Sequence, residues 1–172
     1  VFSTVSDGDS TLIERMRITS VGHVLIGSTA ANGHYNTQIG DSTGGIFNTG
    51  YYNVIIGSGS GSLSANGMGN RNVLIGQSAG SNGMLSTCSD NIGIGAGAVH
   101  DIKSGTYNIA IGSGAGYCKT GANTTIENNI MLGLNSGYYL YNNAQYNILL
   151  GAYSGYSNST NGLTGDKNIG IG

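Results

Sequence analysis

The chain repeats one short pattern that begins with an asparagine. Eight asparagines align, at separations of 17, 19, 19, 17, 21, 18 and 21 residues: Asn36, Asn53, Asn72, Asn91, Asn108, Asn129, Asn147 and Asn168. The consensus is Asn, Val or Ile, any residue, Ile or Leu, Gly, two variable residues, Ala, Ser or Thr, and Gly. A period of about 20 residues is typical of a solenoid, in which each repeat forms one coil that stacks on its neighbours. With His23 as a degenerate earlier copy, the pattern predicts an all-β fold, a parallel β-roll or β-helix of about eight to nine coils.

The residues after each asparagine predict a short strand. The first and third are aliphatic in nearly every copy, as at Ile109 and Ile111, and they share one face because side chains alternate along a strand. Such β-branched rows favour a buried face, so we expect Ile111 to lie inside the coil. The row between them, represented by Ala110, is also mostly apolar. Both faces therefore require a cover, and a second copy of the chain is the simplest candidate for one of them.

Small residues and glycines recur at fixed places in the coil. The glycine four residues after each asparagine indicates a left-handed backbone or a close approach of two chains. A later row holds only Ala, Ser or Thr, which indicates a tight space. The asparagine amides are expected to pair up and down a column, as in stacked β-structures.

Composition excludes several classes of function. A net charge of -2 with six Lys+Arg leaves too little positive charge for nucleic acid. No apolar run approaches the ~20 residues of a membrane span. Cys88 and Cys118 occupy different places in the repeat, so we expect two free thiols.

No residue pattern predicts catalysis, a metal or a cofactor. The eight acids are scattered along the chain, without the paired carboxylates of a polysaccharide-cleaving spike. The histidines form no His-x-His pair, and His100 shares a row with tyrosines, which predicts stacking. The Gly-x-Gly segments precede no helical pattern, so a dinucleotide loop is excluded. We expect a protein that is not an enzyme.

The tyrosines fall into recurring and isolated sets. Tyr35, Tyr52, Tyr107 and Tyr146 precede the asparagine, and Tyr117, Tyr138 and Tyr156 follow the small-Gly pair. Recurrence predicts that both sets stack coil on coil. The tyrosines that do not recur are better candidates for contacting a host-surface carbohydrate or protein, because Tyr offers a large contact area at little entropic cost. These candidate ligand-binding residues are Tyr139, Tyr141, Tyr51 and Tyr153.

The stretch ERMRITSVGHVLIGSTA, at 14–30, resembles a segment of bacteriophage tail fibres and related viral fibre proteins. The following Asn-x-x-Ile-Gly-x-x-Ala-Gly repeats resemble those of the same fibres, and they are similar to the head repeats of trimeric autotransporter adhesins. The resemblance implies a homotrimer of parallel rolls on a virion or cell surface. It divides the chain into an N-terminal strand segment, 1–31, and a repeat domain, 32–172, of a longer fibre. The implied function is a stiff shaft or head that supports host attachment. The alternative is the head of a bacterial adhesin that binds matrix or cell-surface ligands.

Overall fold

The structure is a computed structural model that describes residues 36–44, 50–62, 67–82, 84, 86–118, 125–140, 143–157 and 165–172, together with the backbone of three earlier strands. The strands are β1 (Phe2–Thr4), β2 (Ile13–Ile18), β3 (Val24–Ile26), β4 (Thr37–Ile39), β5 (Val54–Ile56), β6 (Val73–Ile75), β7 (Ile92–Ile94), β8 (Ile109–Ile111), β9 (Ile130–Leu132), β10 (Ile148–Leu150) and β11 (Ile169–Ile171). The predicted repeats coincide with β4 to β11, because each of these strands begins at the residue after an aligned asparagine.

All eleven strands form one sheet in sequence order. The first two pairings, β1 with β2 and β2 with β3, are antiparallel. From β3 onward every pairing is parallel and in the same register, so that Ile109 lies beside Ile92 in one direction and Ile130 in the other. The result is an all-β parallel solenoid of about six turns. This confirms the fold class that the repeat predicts.

The middle residue of each strand from β4 to β10 points into the coil. Leu74, Ala110 and Met131 are fully buried at 0% exposure. The asparagine two residues earlier also faces inward, and Asn108 is 0% exposed. Because side chains alternate, the first and third residues of the strand must face outward.

The prediction that Ile111 lies inside the coil is therefore wrong. Its side chain is 42% exposed on the outer face. The inward asparagine fixes the orientation of the strand, and it places the most regularly aliphatic rows on the outside. Hydrophobicity alone does not distinguish the two faces, since both are apolar.

Small residues and return-leg anchors fill the rest of the interior. The predicted small row is buried, with Ala79, Ala98 and Ala115 at 0%. Of the apolar residues that anchor the return legs, Ile102 and Ile126 are also at 0%. Each return leg is the part of a coil that leads from the small row back to the next strand, and in the described residues these legs pair through isolated bridges, such as Ser89 with Thr106.

Both cysteines lie in this interior. Cys88 and Cys118 are buried, and neither is in a disulfide, as predicted. Burial raises the pKa of the Cys118 thiol far above its ordinary value, so the sulfur stays protonated and unreactive.

Candidate functional site

The outer side of the strands is a continuous aliphatic surface. We call it the aliphatic face: Val54, Ile56, Val73, Ile75, Ile92, Ile94, Ile109, Ile111, Ile130, Leu132, Ile148, Leu150, Ile169 and Ile171. Leu132 and Ile148 are 36% and 37% exposed, whereas the inward row of the same strands is buried. In β4, Thr37 and Ile39 continue the two columns. No charged residue interrupts them, so the solenoid presents two aliphatic columns to its surroundings along its length.

A ladder of asparagine side chains holds the strands in this orientation. The Oδ1 atom of Asn108 accepts bonds from the backbone N–H and the Nδ2 of Asn129, at 3.2 and 3.0 Å. The Nδ2 of Asn108 donates to the Oδ1 of Asn91 at 2.9 Å and to the carbonyl of Ile126 at 2.6 Å. The same contacts recur from Asn72 to Asn147. Each amide thus joins its own strand, the neighbouring coil and the return leg, as the sequence predicts for paired amides.

One edge of the aliphatic face has no side chains. It is the glycine column, which consists of Gly40, Gly57, Gly76, Gly95, Gly112, Gly133 and Gly151. At Gly112 the backbone φ is +139°, and a Cβ atom there would collide with the carbonyl of Gly133 in the next coil. The predicted close approach of two backbones is confirmed. Just beyond this column lie exposed residues such as Ala96 and Ser113.

The other edge carries long side chains. We call it the rim column, the residue before each asparagine: Tyr52, Arg71, Asp90, Tyr107, Asn128, Tyr146 and Lys167. All seven have left-handed backbones, with φ between 57° and 63°. Tyr107 and Tyr146 are 60% and 52% exposed. Asn128 lies between them in the row, and Asp90 precedes Tyr107, so the predicted stacking of this tyrosine set is wrong for Tyr107 and Tyr146.

Within the rim column, Arg71 and Asp90 form a two-point ion pair between adjacent coils. The Nε–Oδ1 and Nη2–Oδ2 distances are 2.6 and 2.7 Å. Hydrogen bonding to Arg71 lowers the pKa of the Asp90 carboxyl, and the same contact raises the pKa of Arg71. Both side chains are partly exposed, so the pair contributes little to stability.

A third feature is the aromatic column formed by His100, Tyr117, Tyr138 and Tyr156. Successive ring centroids are 4.6, 4.8 and 5.5 Å apart with nearly parallel planes. This confirms the stacking predicted for His100 and for the second recurring set. Partial burial raises the pKa values of the Tyr117 and Tyr138 phenols.

Two of the predicted ligand-binding tyrosines, Tyr139 and Tyr153, pack against the aromatic column. Tyr139 is half-buried and packs edge-on against Tyr117 and Tyr138, and its pairing with the aromatic column was missed by the sequence argument. Tyr153 is 54% exposed and meets Tyr156 edge-on at 5.6 Å. Tyr51 is 42% exposed in a coil near the start of the repeats, where its N–H donates to Asn70. Tyr141 lies outside the described residues.

In the part of the chain that the structure describes, no group of three or more His, Cys, Asp or Glu side chains could hold a metal ion. The nearest approach to one is His100, whose Nδ1 lies 2.9 Å from the buried Asp101 carboxylate. A search of the same residues found no helix of the length and hydropathy that a membrane crossing requires.

Comparison with known proteins gave no match: no family model, no curated protein and no solved structure is significantly similar to the chain.

Proposed function

We propose that the chain is a structural segment of a viral tail fibre, or of a similar surface fibre, in which three parallel copies pack in register through their aliphatic faces. The observation that carries this proposal is the aliphatic face itself. It is outward, uncharged and continuous from β5 to β11. An apolar strip that runs without interruption along several coils, unlike single scattered apolar side chains, is typical of a protein–protein interaction surface.

The strand geometry supports a second copy of the chain as the cover. The eight parallel strands β4 to β11 are spaced by about 4.8 Å, so the face repeats at that period over about 34 Å. A parallel copy in register has the same period and presents its own columns at the same heights. The resemblance to viral fibres implies three copies. From the repeat in the sequence, we propose that the full repeat region holds eight to nine coils in each copy.

The resulting function is mechanical support for host attachment on a virion or other exterior surface, without catalysis. The asparagine ladder and the parallel register give a stiff rod, which suits a shaft or head. Coil lengths between 17 and 21 residues favour the viral fibre over an adhesin head, whose coils are usually shorter and more even. Imaging the parent particle with an antibody against this chain tests the location, and label that is absent from its projecting fibres would contradict it.

Analytical ultracentrifugation tests the assembly. We expect the wild-type chain to sediment as a trimer and Ile111→Asp to sediment as a folded monomer, because the outward position leaves the coil intact while a charge enters the interface. Thr87→Asp, at an exposed position on the return leg, is the charge-matched control and should remain trimeric. A wild-type chain that is folded and monomeric at micromolar concentration would refute the proposed assembly.

A further inference from the structure

The rim column contains large side chains in a backbone conformation that does not suit them. The left-handed region favours Gly and, among other residues, Asn, while bulky side chains there are uncommon and strained. Asn128 shows that asparagine fits this row, with φ 58°. Tyr107 and Tyr146 nevertheless occupy it, at φ 59° and 58°.

A single chain offers these two rings little compensation for the strain. Both remain more than half exposed. They do not stack on each other, because Asn128 separates them in the row. An unfavourable backbone that is kept for an exposed aromatic side chain indicates that the ring has a role outside the isolated coil.

The position of the rim column suggests that role. Each rim residue comes two residues before the first column of the aliphatic face, so its side chain lies at the edge of that face.

The area of the aliphatic face shows what the rim residues could add. Three strand residues at about 3.3 Å each make the face about 10 Å wide, and its length of about 34 Å gives a projected area of about 340 Å². A stable interface buries about 800 Å² per partner, so the aliphatic face alone is too narrow. A tyrosine has about 200 Å² to bury, and two half-exposed rings add about half as much again as the face supplies.

The opposite edge has the complementary shape. At the levels of Tyr107 and Tyr146, the glycine column and the small exposed residues just beyond it, Ser113 and Ala152, leave room for a ring. In a parallel cyclic assembly, the rim edge of each copy meets the glycine edge of the next. The two edges of one chain therefore match each other across the contact.

We propose that Tyr107 and Tyr146 are interface residues whose rings cover the glycine edge of a neighbouring copy of the same chain. This inference rests on the proposed assembly, and it identifies which residues determine the affinity between copies. Aromatic anchors at the edge of a narrow aliphatic strip supply area that the strip lacks, and tyrosine is enriched among the residues that dominate binding energies.

The test is the double variant Tyr107→Asn with Tyr146→Asn, since Asn suits the left-handed backbone. We expect unchanged far-ultraviolet circular dichroism and a dissociation constant of the assembly raised at least about tenfold. Tyr156→Asn is the control, because Tyr156 is also half exposed but stacks on Tyr138 in the aromatic column, five residues beyond the glycine column. Its assembly should match wild type. Ser113→Tyr should weaken assembly as the double variant does, by filling the glycine edge.

Hydroxyl-radical footprinting of the wild-type assembly gives a readout that does not depend on any variant. Tyr107 and Tyr146 should be protected while Tyr156 reacts. If the wild type assembles but Tyr107 and Tyr146 react as readily as Tyr156, or the double variant dissociates no more than wild type, this inference fails and the proposed assembly stands. If the wild type is a folded monomer, the proposed assembly fails, and this inference fails with it.

Discussion

Replacing Asn108 by alanine tests whether the asparagine ladder stabilises the solenoid. The side chain is fully buried, and its Oδ1 is the acceptor for the backbone N–H of Asn129. Its Nδ2 donates to the carbonyl of Ile126 at 2.6 Å. Asn108→Ala leaves both of these groups buried without that partner.

The magnitude follows from these two groups. A buried polar group that loses its partner costs about 1–3 kcal/mol, so the free energy of unfolding should fall by about 2–6 kcal/mol. The total stability of a domain is about 5–15 kcal/mol, and the variant therefore should lose a large part of it. Guanidinium unfolding followed by circular dichroism, at fixed protein concentration, measures the change.

Asn108→Asp separates hydrogen bonding from packing. The aspartate carboxyl can still accept the hydrogen bond from the backbone N–H of Asn129, but it has no amide hydrogens to donate. Its charge faces the Oδ1 of Asn91. Burial raises the pKa of the introduced carboxyl, so the neutral form is favoured in the folded state. The loss of stability should therefore be smaller in acid and should grow as pH rises through that pKa.

Asn168→Ala is the matched control at the same place in the repeat. Asn168 is exposed and donates to Asn147 without lying in the interior, so the loss should stay below about 1 kcal/mol. An Asn108→Ala variant that loses no more than Asn168→Ala would refute the reasoning, since the buried bonds would then contribute nothing measurable.

Three further changes probe the backbone, the core and the rim. Gly112→Ala should lower the free energy of unfolding by more than about 1 kcal/mol, because the added Cβ collides with the carbonyl of Gly133. Gly97→Ala should cost less, because the atom nearest to an added Cβ there is 3.9 Å away. Thermal unfolding compares the two variants. Gln38→Leu should raise the free energy of unfolding, measured by denaturant unfolding, by about 1–3 kcal/mol, because both side-chain amide atoms of Gln38 are buried without a hydrogen bond in the described residues. A lower free energy of unfolding would indicate a missed hydrogen-bond partner. Because Arg71 lowers the pKa of Asp90, the pair stabilises above the ordinary carboxyl pKa of about 4, and this contribution disappears as pH falls through the lowered value. Melting temperatures measured against pH should show a shallower acid decline for Asp90→Asn.

Much of the solenoid could be predicted from the sequence because its rules are local and repeated. The asparagine spacing predicted where β4 to β11 begin, and the alignment placed His100 in a row with Tyr117. Parallel in-register coils bring equivalent residues together, so a row in the alignment becomes a column in space. Conversely, Tyr107 and Tyr146 recur at intervals of two coils, with Asn128 between them. Recurrence predicts stacking only when consecutive coils carry rings in the row, as His100 and Tyr117 do.

The orientation of the strand needed an argument that hydrophobicity does not supply. Three consecutive apolar residues, such as Ile109, Ala110 and Ile111, have no polar side to mark the exterior. The backbone strain of the rim column is likewise invisible in the sequence, where only Asn128 hints at a left-handed residue.

The asparagine could have decided the orientation. An amide that pairs with Asn91 and Asn129 and also reaches the carbonyl of Ile126 must point toward the return leg of its own coil. Alternation then requires Ala110 to face inward and Ile111 outward. The inward side chains can therefore vary in size, from glycine to methionine, because together with the small row they fill a closed interior. From β5 to β11 the outward rows remain aliphatic although no part of the described chain covers them. That uniformity supports the proposed packing against a second copy, whose regular period would match that of the chain.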